Sequence, residues 1–150
     1  MPGDEKVRAL ILCTENSARS QMAEGILRKM AGDRADVHSA GIRPASEIHP
    51  LARHVMDEQG VDLAVQYPKD VARYAGQEFD IIITVCDHAK EHCPFFPGRG
   101  QRLHWSLVDP AQAVGTEGER LAAFRKTAAE LATRLREIIP LIEKETHQHK

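Results

Sequence analysis

Several features that mark other classes of protein are scarce or absent in this chain of 150 residues. It contains only three cysteines, a number too small and too odd for the disulfide framework of a small secreted domain. The longest apolar runs, such as residues 9–13 and 81–85, fall far below the ~20 residues of a membrane-spanning helix. Residues 1–6 are charged and lack the apolar core of a signal peptide. We therefore expect a cytoplasmic protein with no membrane partner.

A strong charge of one sign is also missing, since 20 basic and 22 acidic residues leave a formal net charge of -2. No clustered basic stripe is present, which argues against nucleic acid as a main partner. No internal repeat or low-complexity tract interrupts the sequence. With 42% hydrophobic residues, the length suffices for one well-covered core but not for two. These properties predict one domain over residues 1–150 and a monomer.

The most informative feature that is present is the run Cys13-Thr14-Glu15-Asn16-Ser17-Ala18-Arg19-Ser20. It follows an apolar run and leads into an amphipathic pattern, so it predicts a strand, a turn and a helix. Arg19 stands six positions after Cys13. A loop curled around one oxyanion would therefore place a thiolate below the anion and a guanidinium beside it. Backbone N–H groups of the loop and the helix N-terminus would add donors and lower the pKa of the thiol.

The same run has a plainer interpretation. A cysteine and an arginine at this spacing occur together often by chance, and a cysteine at a strand end is usually a small buried hydrophobe. The strand–loop–helix context, with Ser17 and Ser20 as further donors, favours a nucleophile. A cysteine nucleophile in an oxyanion cradle is typical of a phosphatase-like enzyme.

The hydrophobic pattern predicts an α/β fold with one open parallel sheet of about four strands and helices on both faces. Apolar runs at residues 7–13 and 79–85 are typical of buried parallel strands, and residues 37–40 form a weaker third strand. In such sheets, ligand sites lie at the carboxyl ends of the strands, where Cys13 and Cys86 both fall. The positions of Cys13 and Cys86 on two different strands therefore predict that both belong to one site.

Three helices are predicted around this sheet. The first ends at Gly32, the second covers about residues 49–59, and the last opens at Thr116 with a capping-box spacing to Glu119. An apolar stripe on the last helix predicts burial in the core, although a short coiled-coil seam would have the same spacing. The stripe consists of Leu121, Phe124, Ala128, Leu131, Leu135 and Ile138.

The other two cysteines bracket the segment Cys86-Asp87-His88-Ala89-Lys90-Glu91-His92-Cys93. Together with the nucleophile, they suggest redox chemistry after its attack. Two cysteines and two histidines within eight residues would also suit a zinc site, but four ligands this close would strain the backbone. If the segment is helical, its two cysteines are about 10.5 Å apart along the axis, whereas a disulfide needs Cα atoms within about 7 Å. We therefore expect it to unwind, aided by the proline and glycine residues that follow as far as residue 100.

The other histidines and several basic residues have ordinary interpretations. Four histidines are predicted to be surface or hydrogen-bonded core residues: His38, His49, His54 and His104. Three basic residues are predicted to be solvated charges: Arg43, Lys69 and Arg102.

The motifs described above belong to a resemblance that extends through most of the chain. The chain resembles the thioredoxin-coupled arsenate reductases, which share the fold of the low-molecular-weight tyrosine phosphatases. The matching residues are Cys13-Thr14, Asn16-Ser17, residues 19–25, Ser39-Ala40-Gly41, Thr84-Val85-Cys86, Cys93-Pro94, His104-Trp105 and Asp109-Pro110-Ala111. The loop alone would fit a phosphatase equally well. The pair Cys86 and Cys93 favours the reductase.

The resemblance implies a role for each residue of the site. Cys13 would attack arsenate, and Asp109 would act as general acid for the departing hydroxide. Cys86 would then attack Cys13 and release arsenite, and Cys93 would resolve the disulfide for reduction by thioredoxin. No cofactor or catalytic metal is implied. The arsenate oxygens would be held by Arg19 and by the loop residues Thr14, Glu15, Asn16, Ser17, Ala18 and Ser20, the last of which would also hydrogen-bond the Cys13 thiolate.

Two loop positions depart from the pattern of these reductases. Glu15 stands where glycine is often found, and Ala18 stands where a further cysteine is often found. Because Glu15 adds negative charge beside an anion site, we expect its side chain to face solvent.

A third departure concerns an ion. Some of these reductases build a potassium site from an asparagine, a glutamate, a serine and an acidic residue. Asn16, Glu24 and Ser39 match the first three, and Lys69 falls where the acidic ligand would be. Its ammonium group would replace the ion and fix the loop, or its side chain would face solvent.

Two other classes of function stay open. A low-molecular-weight protein tyrosine phosphatase is one, although Ala111 follows Pro110 where such phosphatases often offer an aromatic ring to the substrate. A zinc-binding or redox-sensing module is the other. For a reductase, a glutaredoxin-type protein and mycothiol are alternative reductants.

Overall fold

The computed structural model describes the backbone of residues 6–98 and 100–148 and the side chains of residues 6–98 and 100–143. In these ranges the strands are β1 (Val7–Cys13), β2 (Ala35–Gly41), β3 (Ile81–Thr84) and β4 (Gln101–His104). They form one parallel sheet in the order β2-β1-β3-β4. At its carboxyl edge, Cys13 stands beside Gly41, and Leu12 stands beside Thr84. The predicted α/β fold with a four-stranded parallel sheet is confirmed.

The helices are α1 (Arg19–Ala31), α2 (Pro50–Glu58), α3 (Asp87–Glu91) and α4 (Glu117–Gln148). The predicted end of α1 is confirmed, because Gly32 has a positive φ of 56° and its N–H donates to the carbonyl of Arg28. The predicted capping box of α4 is confirmed as well. The Glu119 N–H donates to the Thr116 hydroxyl at 3.1 Å, and the Thr116 N–H donates to the Glu119 carboxylate at 3.0 Å.

The apolar stripe of α4 lies in the core of the domain. Phe124, Leu131 and Leu135 are fully buried, and α4 packs against α1 and α2. Complete burial of such side chains stabilises the fold by about 1.5–3 kcal/mol each. The core interpretation of the stripe is therefore confirmed, and the coiled-coil interpretation is wrong.

The two faces of the sheet are covered by different elements. Ser39 in β2 faces α1, where its hydroxyl bonds to Glu24. The preceding residue, His38, points to the opposite face and contacts the rings of Tyr74 and Phe79. A short 3₁₀ helix, Val71–Tyr74, supplies part of that second layer.

The strands at the edges of the sheet were the hardest to predict. β2 is longer than the predicted residues 37–40 because it pairs along the whole length of β1. The sequence predicts about four strands but does not show where the fourth, β4, lies. Gln101 and Arg102 are exposed and only Leu103 is apolar, so β4 lacks the apolar run of a buried strand. None of the helices within the described ranges combines the length and apolar character needed to cross a membrane.

Candidate active site

The loop between β1 and α1 turns its carbonyl groups outward. The segment after β2 runs beside it and donates to those carbonyls, from Ile42 to Cys13 at 3.2 Å and from Arg43 to Thr14 at 2.8 Å. Further bonds run from Ala45 to Glu15 and from His49 to Ser17, both at 2.9 Å. In the described part of the chain, no protein group accepts a hydrogen bond from the N–H groups of residues 15–18. The outward carbonyls therefore leave a set of backbone donors free for an anion.

Asn16 fixes the shape of this loop. It has a positive φ of 52°, a conformation that asparagine adopts more readily than most residues, and it is fully buried. Its amide nitrogen donates to Ser20 at 2.7 Å and to Ser39 at 2.9 Å. Its amide oxygen accepts from the Gln21 side chain and from the Lys69 N–H. All the hydrogen-bonding capacity of one side chain is thus used to hold the loop.

The loop also explains the glycine at the end of β2. A Cβ atom on Gly41 would lie 2.7 Å from the carbonyl oxygen of Thr14 and 3.0 Å from the backbone nitrogen of Asn16. Since real Cβ atoms do not approach backbone so closely, only glycine lets β2 lie against the loop.

The sequence predicts a hydrogen bond from Ser20 to Cys13 and an exposed side chain for Glu15. Ser20 is fully buried and accepts from Asn16, and no hydrogen bond joins it to Cys13 in the described structure. The Asn16 amide contacts the Ser20 oxygen, and the predicted hydrogen bond from Ser20 to Cys13 is absent from the described structure. The Glu15 side chain is exposed, as expected.

Arg19 and Asp109 close the pocket above Cys13. The Arg19 guanidinium is nearly buried and donates to the carbonyl of Leu107 at 2.9 Å, which fixes its direction. Its other terminal nitrogen lies 3.6 Å from the Asp109 carboxylate. The Ala111 N–H donates to Asp109 at 3.0 Å and orients it. The cavity has a volume of about 200 Å³ and is lined by Cys13, the loop residues Thr14, Glu15, Asn16, Ser17, Ala18 and Arg19, and His49, Asp109, Ala111 and Gln112.

Cys86 follows β3 and lies beside Cys13 at the carboxyl edge of the sheet. It caps the N-terminus of α3, where its sulfur accepts from the Ala89 N–H at 3.4 Å. The Thr14 hydroxyl lies 3.2 Å from this sulfur, and the Cys13 thiol is a hydrogen-bonding neighbour. The hydrogen bond with Cys13, and then those with Thr14 and Ala89, lower the pKa of Cys86 to about 5.

The ionisation of Cys13 differs from the expectation for an isolated nucleophile. Hydrogen bonding with Cys86 and burial raise the pKa of Cys13, although Arg19 and the Thr14 N–H act in the opposite direction. The two thiols titrate as a coupled pair, in which the lowered pKa of Cys86 and the raised pKa of Cys13 favour a negative charge on Cys86. Moving one proton from Cys13 to Cys86 transfers that charge to Cys13.

Cys93 lies outside this pair. It follows α3, which spans five residues, and its half-buried thiol is 3.5 Å from the carbonyl oxygen of Pro94. Burial raises the pKa of Cys93. Because the thiols of Cys86 and Cys93 have different neighbours, a bond between them requires the intervening segment to rearrange.

The zinc interpretation of this segment finds no support in its geometry. Among residues 6–98 and 100–143, no three His, Cys, Asp or Glu side chains are grouped as metal ligands. His88 and His92 stack on each other, with ring centroids 4.1 Å apart, while Cys86 faces Thr14.

A polar network ties the start of α3 to the neighbouring strand. Asp87, the first residue of the helix, accepts from Ser106 and lies 2.9 Å from Nε2 of His104. The other ring nitrogen of His104 is 2.7 Å from the Thr84 hydroxyl. His104 is therefore hydrogen-bonded, as predicted.

Lys69 is buried, with 8% of its surface exposed, so its prediction as a solvated charge is wrong. Its ammonium lies 3.7 Å from the Glu24 carboxylate and donates to the carbonyl of Tyr67 at 2.8 Å. Ser39 joins Glu24 to Asn16. Burial lowers the pKa of Lys69, and the neighbouring carboxylate opposes that shift. Arg43 and Arg102 are exposed, as predicted.

His49 is a pocket residue that the sequence did not reveal. It was predicted to be an ordinary surface or core histidine, yet it lines the cavity together with the loop and Asp109. The one available signal was the pair His49-Pro50, which is typical of a helix N-terminus. Nothing in the sequence indicated that this helix starts at the pocket.

The fold and this loop identify the class of the protein. The model of the low-molecular-weight phosphotyrosine protein phosphatase family matches residues 8–148, so the chain belongs to that family.

Within this class, the chain is similar to arsenate reductases. It is 42% identical over 125 residues to the arsenate reductase of Halalkalibacterium halodurans, covering 83% of this chain and 89% of that protein. A solved arsenate reductase in its phosphate-binding state superimposes with a TM-score of 0.74 at 26% identity, covering 91% of this chain and 98% of the other. The thioredoxin-dependent arsenate reductase of Corynebacterium glutamicum superimposes with a TM-score of 0.71 at 31% identity, covering 93% of this chain and 63% of the other.

Proposed function

We propose that this protein reduces arsenate to arsenite through Cys13, Cys86 and Cys93, with thioredoxin as the reductant, and so detoxifies arsenic in the cytoplasm. The observation that carries the proposal is that Cys13, which lines the oxyanion pocket, has a second thiol, Cys86, as its neighbour. A phosphatase needs one thiol there. A second thiol beside the first allows the bond that the first has made to be broken with transfer of two electrons.

The first step forms a bond between Cys13 and arsenic. The Cys13 proton moves to Cys86, and the resulting thiolate attacks arsenate while Arg19 and the inward N–H groups hold the arsenate oxygens. One oxygen leaves as water, with a proton supplied by Asp109. The bond from the Ala111 N–H and the neighbouring Arg19 orient Asp109 for this role.

The second step is the reduction. Cys86 loses its proton to the departing oxyanion and attacks the Cys13 sulfur, which forms an S–S bond and breaks the S–As bond. Arsenic keeps the electron pair of the broken bond, passes from As(V) to As(III) and leaves as arsenite. The Thr14 hydroxyl and the Ala89 N–H stabilise Cys86 as the attacking thiolate.

The last steps regenerate the enzyme. The Cys93 thiolate attacks the Cys86 sulfur, and Cys13 leaves as a thiolate, so this exchange is redox-neutral. The dithiol of thioredoxin then supplies two electrons and two protons to the Cys86–Cys93 disulfide. A monomer of residues 1–150 acting as one domain is sufficient for the whole cycle.

A coupled assay tests this function. We expect arsenate-dependent oxidation of NADPH when the protein is combined with thioredoxin and thioredoxin reductase. Replacing thioredoxin by a glutaredoxin–glutathione system or by mycothiol with its reductase should leave little turnover. Turnover with one of these systems but not with thioredoxin would contradict the assignment of the reductant.

A weak phosphatase activity is a second expected property. The pocket combines a thiol, a guanidinium and a carboxylic acid, which are the groups that hydrolysis of an aryl phosphate needs. Ala111 offers no ring to a phosphotyrosine side chain, so we expect this activity to be minor.

Oxidation should loosen a defined segment. When the Cys86–Cys93 disulfide forms, we expect α3 to unwind and amide protection to fall in residues 87–95. The loosening should end near Phe96, because that ring is buried and its carbonyl accepts from Arg102 at 2.7 Å. Hydrogen exchange of the reduced and oxidised proteins measures this, with β1 as an internal control. Equal exchange in both forms would mean that no rearrangement is needed.

Lys69 should replace a potassium ion. Because its ammonium already lies between Glu24 and the Tyr67 carbonyl, sodium and potassium chloride should change the melting temperature and activity equally. We expect Lys69→Asp to gain a response to potassium that sodium does not reproduce, while Lys126→Asp, an exposed control with the same charge change, should gain none. A wild-type protein stabilised by potassium but not by sodium would rule out this role.

A further inference from the structure

His49 has two ring nitrogens in different surroundings. Its Nδ1 accepts a hydrogen bond from the Leu51 N–H at 3.1 Å and thereby caps helix α2. Pro50 at the first helical position has no N–H of its own, so this cap is directed at Leu51. In the described structure, Nε2 of His49 has no hydrogen-bond or ion-pair partner.

The cap fixes the tautomer of the ring. Since Nδ1 accepts a hydrogen bond from the Leu51 N–H, the neutral ring carries its proton on Nε2. Burial and the nearby charge of Arg120 lower the pKa of His49, against the opposing effect of Asp109, so the ring is neutral near pH 7. The Nε2–H group of His49 is therefore a neutral hydrogen-bond donor.

The ring is held in place at the pocket wall. It packs on Phe124 of α4, with centroids 4.7 Å apart, and the backbone N–H of His49 donates to the carbonyl of Ser17 in the loop between β1 and α1. The same residue lines the cavity that contains Cys13 and Asp109. A rigid side chain with one unused donor therefore borders the place where an oxyanion would bind.

We propose that His49 is a substrate-binding residue whose Nε2–H donates a hydrogen bond to an oxygen of the bound oxyanion. The proposal rests on the proposed function only in taking the pocket to be an oxyanion site. It adds a neutral side-chain donor to the Arg19 charge and the backbone amides. Its action is on affinity, because the donor meets the anion in the ground state and in the transition state alike.

Two isosteric substitutions separate the two ring nitrogens. Asparagine places an acceptor near the position of Nδ1, so His49→Asn keeps the helix cap and removes the donor. Glutamine places an amide N–H near the position of Nε2, so His49→Gln keeps the donor and weakens the cap. His54→Asn, an exposed histidine on the same helix, is the matched control.

The probe is inorganic phosphate, titrated calorimetrically into the reduced protein. We expect His49→Asn to weaken phosphate binding about tenfold, as is usual when a hydrogen bond to a charged group is lost, with little change in melting temperature. His49→Gln should bind phosphate much as the wild type does but melt at a lower temperature. In turnover, His49→Asn should raise KM for arsenate and leave kcat nearly unchanged.

Two results would overturn this role. Wild-type phosphate affinity in His49→Asn would show that Nε2–H does not touch the anion. Equal losses of affinity in His49→Asn and His49→Gln would show that the ring acts through its shape alone. A wild-type protein that binds phosphate but reduces no arsenate would refute the proposed reaction while leaving the assignment of His49 intact.

Discussion

Cys13→Ser is expected to abolish arsenate reduction and the hydrolysis of an aryl phosphate together. Both reactions begin with attack by the same sulfur at the base of the pocket, and a serine hydroxyl at this position is a far weaker nucleophile. Arg19→Ala should also suppress both, by about 10²–10³-fold in kcat, because the oxyanion loses its only side-chain cation in the pocket lining that the structure describes. Both rates are measured on the same preparations.

An exposed arginine provides the control for this pair of variants. Arg43 follows the strand beside the loop, and its side chain is exposed. Arg43→Ala therefore removes the same charge without touching the pocket and should retain activity. Full reductase activity in Cys13→Ser would contradict the nucleophile on which the proposed cycle depends.

Cys86→Ser and Cys93→Ser should separate the two chemistries. We expect each to lose multiple turnovers of arsenate, since no Cys86–Cys93 disulfide can be passed to thioredoxin. Aryl-phosphate hydrolysis should persist in both, because it uses Cys13, Arg19 and Asp109. The effect on arsenate turnover should be as complete as that of Cys13→Ser.

The two variants should also differ from one another. Cys93→Ser retains Cys86, so it should release up to one arsenite per protein and then stop with a Cys13–Cys86 disulfide. Cys86→Ser should release none. If both variants turned over arsenate with thioredoxin at the wild-type rate, the two cysteines would be structural, and the phosphatase interpretation would replace the reductase.

Much of the site could be predicted because its key residues are close in sequence. The loop from Cys13 to Arg19 brings its own donors, and the apolar run before it and the amphipathic pattern after it fix it between a strand and a helix. Cys86 follows a second apolar run that ends at the same edge of the sheet. The rule that parallel strands end together was enough to join the two cysteines.

The features that could not be predicted depend on contacts between distant segments. Lys69 resembles any surface lysine in sequence, and only the packing of its loop against Glu24 buries it. His49 is a pocket residue because helix α2 starts beside the loop. The pKa of Cys13 depends on a neighbour 73 positions away, which reverses the shift that the loop alone would produce.

The most direct test is the amount of arsenite released in a single turnover. The fully reduced protein is mixed with excess arsenate in the absence of any reductant, and arsenite and free thiols are counted. The proposed cycle predicts one arsenite per protein, the loss of two thiols and a disulfide between Cys86 and Cys93, with continued turnover only after thioredoxin and its reductase are added. Absence of arsenite, with all three thiols still free, would contradict it.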